Sequence, residues 1–557
     1  MKNYIFYKAS KKHFLLFFIT FFGTQIVEAQ LEPNVLWAKQ FGGPEQDYAG
    51  DMAMDHFGNI YVTGFFRGTA NFGDITLTAP GSSAPFVAKT DPSGNVLWAK
   101  QFGGTGLDIG YGITTDTYGN AYTTGIFTGT VSFGSITLST STAYPTAFVV
   151  KQDTDGNVLW AKKFADVNEQ EIVYARAIAI DTQNNVYMRG DFYSTADFGG
   201  IVLTKENDTG FNAFIIKQND SGDVLWAKKI GDTGSVTINK LASDTSNNIY
   251  ITGYFIGNVN FDGVPNSSSV YGKGFLLKLN SSGDTVWAKY FGGENHIYST
   301  GYDINIDNME NIYLVGRFEE TFQMDAITFS SPYNEAFFLK LNSYGQPLWI
   351  KTFETTNKDK LYFHSITTNT SGDIYIAGEF LGLFYFNDTY LSSTGILSDC
   401  IIIKMDNSGT IKRADRFGSS LYSRIHSIEI NTNEELYIFG NFMQTIDFGG
   451  ITLTSNGNSA DPFLAKFILE DMSIDKSQTS QLKIYPNPIK DFLAINISDK
   501  DANLSAEIIN LLGQKVKTFQ NISNTGTLDV SDLSTGIYLL NLINQNGEKQ
   551  TIKIKKI

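Results

Sequence analysis

The side chains that most often do chemistry are few in this chain. Five histidines occur, His13, His56, His296, His364 and His426. No two stand at a metal-ligand spacing, and neither HExxH nor GxSxG is present. His364 and His426 occupy matching places in the stretches FHSITT and IHSIEI, so they are either echoes of a repeat or a pair facing one channel. Carboxylates recur more strictly: Asp55, Asp116, Asp181, Asp244 and Asp307 precede turns, with Asn369 and Asn431 in the next two such places. An aspartate there can close a turn by accepting from the backbone, or it can help hold calcium, as DTDGN at Asp153–Asn157 suggests. An EF-hand loop begun at Asp153 would need glutamate at its twelfth position, where Phe164 stands. Paired carboxylates for glycoside hydrolysis need not be close in sequence, and no particular pair stands out. Cys400, the single cysteine, lies in the apolar run DCIIIK and reads as a small buried hydrophobe. One cysteine allows neither an internal disulfide nor a cysteine-based zinc site. No catalytic residue, metal ligand or cofactor is assigned.

The elements around these residues are repeated. WAKQFGG begins at Trp37 and again at Trp98, with relatives from Trp160, Trp226, Trp287 and Trp349. These are all six tryptophans, spaced by 61, 62, 66, 61 and 62 residues, and Arg413 holds the tryptophan place of a seventh copy. Each unit also carries a segment of the form GNIYVTGFF. It supplies Tyr61, Tyr122, Tyr187, Tyr250, Tyr313, Tyr375 and Tyr437, each followed by a glycine and a phenylalanine. Six residues beyond that phenylalanine another recurs, with Met324 as the exception. A period of this length marks a propeller, solenoid or array. Short alternating runs broken by Asp, Asn, Ser and Gly turns predict four core strands per unit. The fold expected is all-β: a seven-bladed β-propeller over 30–468, then a small Ig-like β-sandwich. The tryptophan strand at Val35–Phe41 precedes the first complete unit, and the last unit lacks its own. The first strand is therefore expected to close the last blade and remove two exposed edges. Repeated tryptophans suit packing between blades, with a ring of aromatic sugar platforms as the alternative. The repeated glycine is expected to admit a neighbouring sheet's aromatic.

Composition limits the partners. With 42 Lys+Arg against 57 Asp+Glu the formal charge is −15, which disfavours phosphate-rich partners, so no nucleic acid is expected. At the start, Lys2, Lys8, Lys11 and Lys12 precede the apolar run Phe14–Phe22. Val27 and Ala29 suit a signal-peptidase site, so 1–29 reads as a signal peptide cut between Ala29 and Gln30. No membrane span is expected after its removal.

The repeat units resemble a bacterial β-propeller repeat family with DxxGNxYVTGxF and FVAKxDxxGxxxWAKxFGG patterns. That resemblance covers about Asn34 to Phe467 and implies the fold, not an activity. Beyond the polar linker 469–481, residues 482–557 carry YPNP (Tyr485, Pro486, Asn487, Pro488), LLGQKV (with Gly513), LSTGIYLL (with Gly536 and Tyr538) and the terminal KIKKI (with Lys555). These resemble the type A C-terminal sorting domain of the type IX secretion system of Bacteroidetes-type bacteria. The resemblance implies a translocon and a sortase as partners, passage across the outer membrane, and release or anchoring at the cell surface. A cut between Glu470 and Gln481 is the expected processing step. The expected function is non-catalytic binding or adhesion to a glycan or protein. A secreted hydrolase of polysaccharide or peptide and a structural surface component are the alternatives. Repetition favours binding or structure, since an active site breaks symmetry in one or two blades.

Overall fold

The computed structural model describes residues 34–557 except 142–143, 167–171, 206–210, 232–233, 294–297, 354–359, 387–388, 469–481, 486–488, 498–503, 511–513, 523–524 and 544–548. The signal segment with Ala29 and Gln30, the linker with its expected cut, and Pro486, Asn487, Pro488 and Gly513 lie outside the described residues. Two compact units result, Met1–Leu469 and Glu470–Ile557.

In the first unit each sequence repeat becomes a four-stranded antiparallel sheet, and seven such sheets are described. The first runs Tyr48–Met54, Ile60–Phe66, Ala84–Thr90, Val96–Gln101. Its second and third strands are buried along almost their whole length because both of their faces are covered. The first strands of all seven sheets contribute to one cavity of about 210 Å³. They therefore stand around a common axis, the arrangement of a β-propeller. Asn34–Gly42 pairs antiparallel with Asp461–Ile468, Trp37 opposite Lys466, and so supplies the fourth strand of the last sheet.

Meander connectivity gives the ring two ends. The turns after the first and third strands lie at one end; the remaining connections lie at the other. At the turn end the recurrent aspartates cap their own turns. Asp55 accepts from the backbone N–H of Phe57 and Asn59, both at 2.9 Å, and from the Asn59 side chain at 2.8 Å. Asp153 of DTDGN does the same with Asp155 and Asn157. Each repeat tyrosine is buried and lies under a third-strand lysine, such as Lys89 over Tyr61 and Lys151 over Tyr122, both at 4.9 Å. Buried desolvated pairs of this kind contribute on the order of 1–2 kcal/mol each. The lysine also faces the turn carboxylate: Lys151 to Asp116 is 3.4 Å and Lys217 to Asp181 is 3.4 Å. Where asparagine replaces that aspartate, the charge moves four residues along, to Asp373 beside Lys404 (3.2 Å) and Glu435 beside Lys466 (2.7 Å).

The tryptophans join this layer to the next sheet. Trp98 meets Tyr61 edge-on at 5.9 Å and donates its indole N–H to the Thr154 carbonyl of the following sheet at 3.0 Å. A Cβ on Gly156 would lie 3.0 Å from the Trp98 ring. Gly94, Gly222, Gly283, Gly345 and Gly409 stand in the same relation to Trp37, Trp160, Trp226, Trp287 and Trp349. Six indoles thus meet six turn glycines between third and fourth strands. In the seventh sheet those strands are Asp461–Ile468 and Asn34–Gly42, which no turn joins. The residue that would face the missing turn is Arg413, which pairs with Asp415 at 2.7 Å instead.

At the other end, short hairpins between second and third strands reach back to the preceding sheet. Phe72 pairs with Phe41, Val131 with Gly104, Ala196 with Asp166 and Ile446 with Ser419. Phe72 meets Phe86 at a tilt, ring centres 4.8 Å apart, and Phe133 meets Phe148 likewise at 5.0 Å. In the unit with Met324 the ring sits two residues earlier: Phe322 takes the contact with Phe337, also at 5.0 Å. Cys400 is fully buried.

The second unit has sheets of three and four strands. Leu493, Leu528, Ile508, Leu540 and Ile554 from both sheets share one core. Tyr485 pairs with Ala494 through the backbone. Gly536 opposes Lys556 and Tyr538 opposes Ile554 in the terminal hairpin. The Tyr538 hydroxyl donates to the Ser534 carbonyl at 2.9 Å, and Lys555 is exposed. Ile489, next to the YPNP motif, bridges to Lys556. The residue that follows the first sorting motif in sequence therefore lies beside the last motif.

Candidate functional site

The repeated glycine of the second strand is what shapes the axial channel. A Cβ on Gly64, Gly125, Gly190, Gly253, Gly316, Gly378 or Gly440 would lie 1.7 to 2.2 Å from a first-strand carbonyl. The aromatic that approaches it belongs to the third strand of its own sheet, as Phe148 does at Gly125 (2.8 Å), and not to a neighbouring sheet as the sequence suggests. Opposite this glycine every first strand has a β-bulge, between Ala49 and Asp51 in the first sheet and between Phe363 and Ser365 in the sixth. A bulge adds one residue and re-aims its side chain. The added residues are Gly50, Tyr111, Arg176, Asn239, Tyr302, His364 and His426. The backbone repeats seven times, while the side chain is seldom the same.

These side chains and their neighbours touch from sheet to sheet around the mouth of the channel. Arg176 lies over Tyr111 (5.7 Å) and Tyr174 (4.4 Å), and its Nε donates to Asp191 at 2.6 Å. Tyr302 faces His364 at 6.1 Å. Arg317 lies over Tyr298 (5.5 Å) and Tyr362 (5.6 Å) and pairs with Glu319 at 2.7 Å. Glu379 is held by His364 (3.3 Å), by the Ser398 hydroxyl (2.8 Å) and by Arg424 Nε (2.9 Å). Burial alone would raise the Glu379 carboxyl, but the His364 and Arg424 contacts hold it down to about 2. His426 meets Tyr48 at 5.0 Å, and burial with His364 and Arg424 nearby pushes it down to about 3. So the two histidines are joined to one network at the mouth. The sequence offered their equivalent positions as a signal but not the arginine, tyrosine and glutamate partners.

One layer deeper, the throat is ionic. Lys240 faces Asp51 at 3.6 Å. Asp303 accepts from the backbone N–H of Ile304 (2.8 Å) and Ile366 (2.9 Å). Glu429 borders the same cavity. Burial, then the charge on Asp51, raises Glu429 to about 8. Burial works against the charge of Lys240, but Asp51 and Asp303 outweigh it and raise its pKa. Among the described residues no three His, Cys, Asp or Glu side chains gather as a metal set.

Comparison with known proteins agrees with this architecture. Residues 483–556 match the secretion system C-terminal sorting domain family. Residues 36–64, 97–125 and 225–259 match the β-propeller repeat family. A curated relative, an uncharacterized WD repeat-containing protein L264 of Acanthamoeba polyphaga mimivirus, is 30% identical over 159 residues. That match covers 25% of this chain and 11% of the relative, so the chain spans about a tenth of its length. Among solved structures, a protein of unknown function from Dyadobacter fermentans shows 8% identity and a TM-score of 0.37, covering 78% of this chain and 99% of that one. PorZ, a surface component of the type IX secretion system of Porphyromonas gingivalis, shows 10% identity and a TM-score of 0.15, covering 93% and 100%. At such scores the structural likenesses carry no functional argument. The chain is a β-propeller repeat protein bearing a type IX sorting domain. It is exported to the cell surface or the extracellular space, and its tail engages the secretion machinery.

Proposed function

We propose that this exported β-propeller protein is a non-catalytic binding protein that holds an extracellular glycan or protein ligand at the mouth of its axial channel. The observation that carries this reading is the change of side chain at seven equivalent bulges, where every packing position nearby repeats. A purely structural surface component leaves that divergence without a cause. A hydrolase would want two carboxyls close together, and Glu429, raised by burial, borders the same cavity as Asp51. Their cavity of about 210 Å³ is smaller than the roughly 300 Å³ at which ligand pockets ordinarily begin, which favours binding over hydrolysis at this place.

The test is a binding screen with the full chain against polysaccharide and peptide libraries, with product release followed in parallel. Tyr302→Ala/Tyr362→Ala is expected to lower affinity about tenfold or more. Binding unchanged in that variant would remove the mouth as the site, and released product would replace binding with hydrolysis. For processing we read 1–29 as the segment removed and Glu470–Gln481 as the region of the second cut. Mass spectrometry that finds Ile557 on the mature protein would refute the latter.

A further inference from the structure

We infer, resting on the mouth being the ligand site, that its ligand is an uncharged polysaccharide and not a polyanion. Binding a polyanion requires cationic groups in excess, so that ligand charge replaces bound counter-ions. The mouth holds three arginines that each have their own carboxylate, Arg176 with Asp191, Arg317 with Glu319 and Arg424 with Glu379, while a fourth, Arg189, is buried and donates to the Asn239 carbonyl. Its two histidines add no charge at neutral pH, since burial lowers both His364 and His426. Among the described residues the less buried arginines of the mouth are thus matched one for one by carboxylates, and the chain as a whole, at −15, repels anions at long range.

The same groups suit a pyranose. A sugar has an apolar C–H face and hydroxyls that both donate and accept. Tyrosine gives a rigid ring with a polar tip. A carboxylate-fixed guanidinium gives donors in a set plane beside acceptor oxygens. The arginines lie on tyrosine rings, Arg176 on Tyr174 at 4.4 Å and Arg424 over Tyr422 at 5.8 Å, which keeps each plane in place. Among the atoms here that are buried without a hydrogen-bond partner in the described residues are Asp191 Oδ1, Arg317 Nε and His426 Nε2. One accepts, one donates and one can do either. A hydroxyl, or a water ordered beneath it, answers all three, whereas a sulfate or carboxylate answers only the donors. The clusters belong to different sheets, so a polymer can touch more than one of them.

Calorimetric titration of the full chain decides this, with laminarin, xylan and mannan as neutral probes and alginate, polygalacturonate and carrageenan as anionic ones, at low and high salt. The expected result is saturable binding of a neutral polymer, insensitive to salt and about tenfold weaker in Tyr302→Ala/Tyr362→Ala. Tyr302→Phe/Tyr362→Phe keeps the rings and serves if the alanine variant does not fold. Binding confined to anionic polymers and weakened by salt overturns the inference while leaving the mouth as the site. Peptide binding at the mouth with no polysaccharide bound also overturns it. Binding that no mouth substitution alters, or none at all, overturns the site itself.

Discussion

The two ends of the ring are built from the same strands, yet they differ in what is held constant. At the turn end both backbone and side chains recur: aspartate, tyrosine, lysine, tryptophan and glycine interlock from one sheet to the next. At the bulges of the other end only the backbone recurs, because a glycine permits the bulge and leaves its side chain free to vary. Substitution at the turn end should therefore act on stability. Substitution at the mouth should act on recognition.

The sharpest break comes from removing what both ends share. Gly125→Val places a side chain 2.0 Å from the Ile109 carbonyl and should cost about 3 kcal/mol or more, from strain and a lost bulge. Chemical denaturation measures it; a loss under about 1 kcal/mol would mean the strand pairs shift to make room. Next is Trp98→Ala, which removes a half-buried indole and its bond to Thr154, for about 2–3 kcal/mol with ligand affinity unchanged. An affinity loss there would restore the sugar-platform reading of the tryptophans. Smaller and pH-dependent is Glu429→Gln. The carboxyl titrates near 4.5 when unfolded and about 8 in the native state. Between those values the native state binds more protons, so stability falls as pH rises through that window. The substitution should flatten the fall, seen as a smaller difference between melting temperatures measured below and above the window. Asp47, raised to about 7 by burial, keeps a residual decline of the same sign. The smallest effect expected is from Arg413→Trp. It restores the repeat but meets no turn glycine and loses the Asp415 pair, so a gain in denaturation midpoint would count against the packing account of the other six tryptophans.

The turn end was legible in the sequence because interlocking side chains must recur to interlock. Tyr61 and its six equivalents, Trp98, and the turn aspartates all announce themselves by spacing. The lysines over the tyrosines recur as strictly and were overlooked, since a lysine in an alternating strand ordinarily reads as solvent-facing. The mouth was mostly illegible for the opposite reason. A residue that changes type five ways over seven units leaves no period, and a bulge shifts it off the alternation that assigns strand faces. His364 and His426 were visible only because two adjacent units share them. The reason for the repeated glycine was misjudged because its neighbour, Phe148 for Gly125, lies across two strands of one sheet, a register that sequence does not display. Arg413 marks the tryptophan place in the sequence, but the absent turn that explains it is visible only in the ring.

The pairing of Asn34–Gly42 with Asp461–Ile468 also has a bearing on time. Asn34 meets Ile468 across almost the whole length of the ring unit. So distant a contact forms late, because the intervening chain must first be ordered. A chain that emerges from its amino end presents a strand with no partner until the last repeat appears. The sorting tail follows that repeat directly in sequence. The ring can therefore lock only once its last repeat is in place, shortly before the tail.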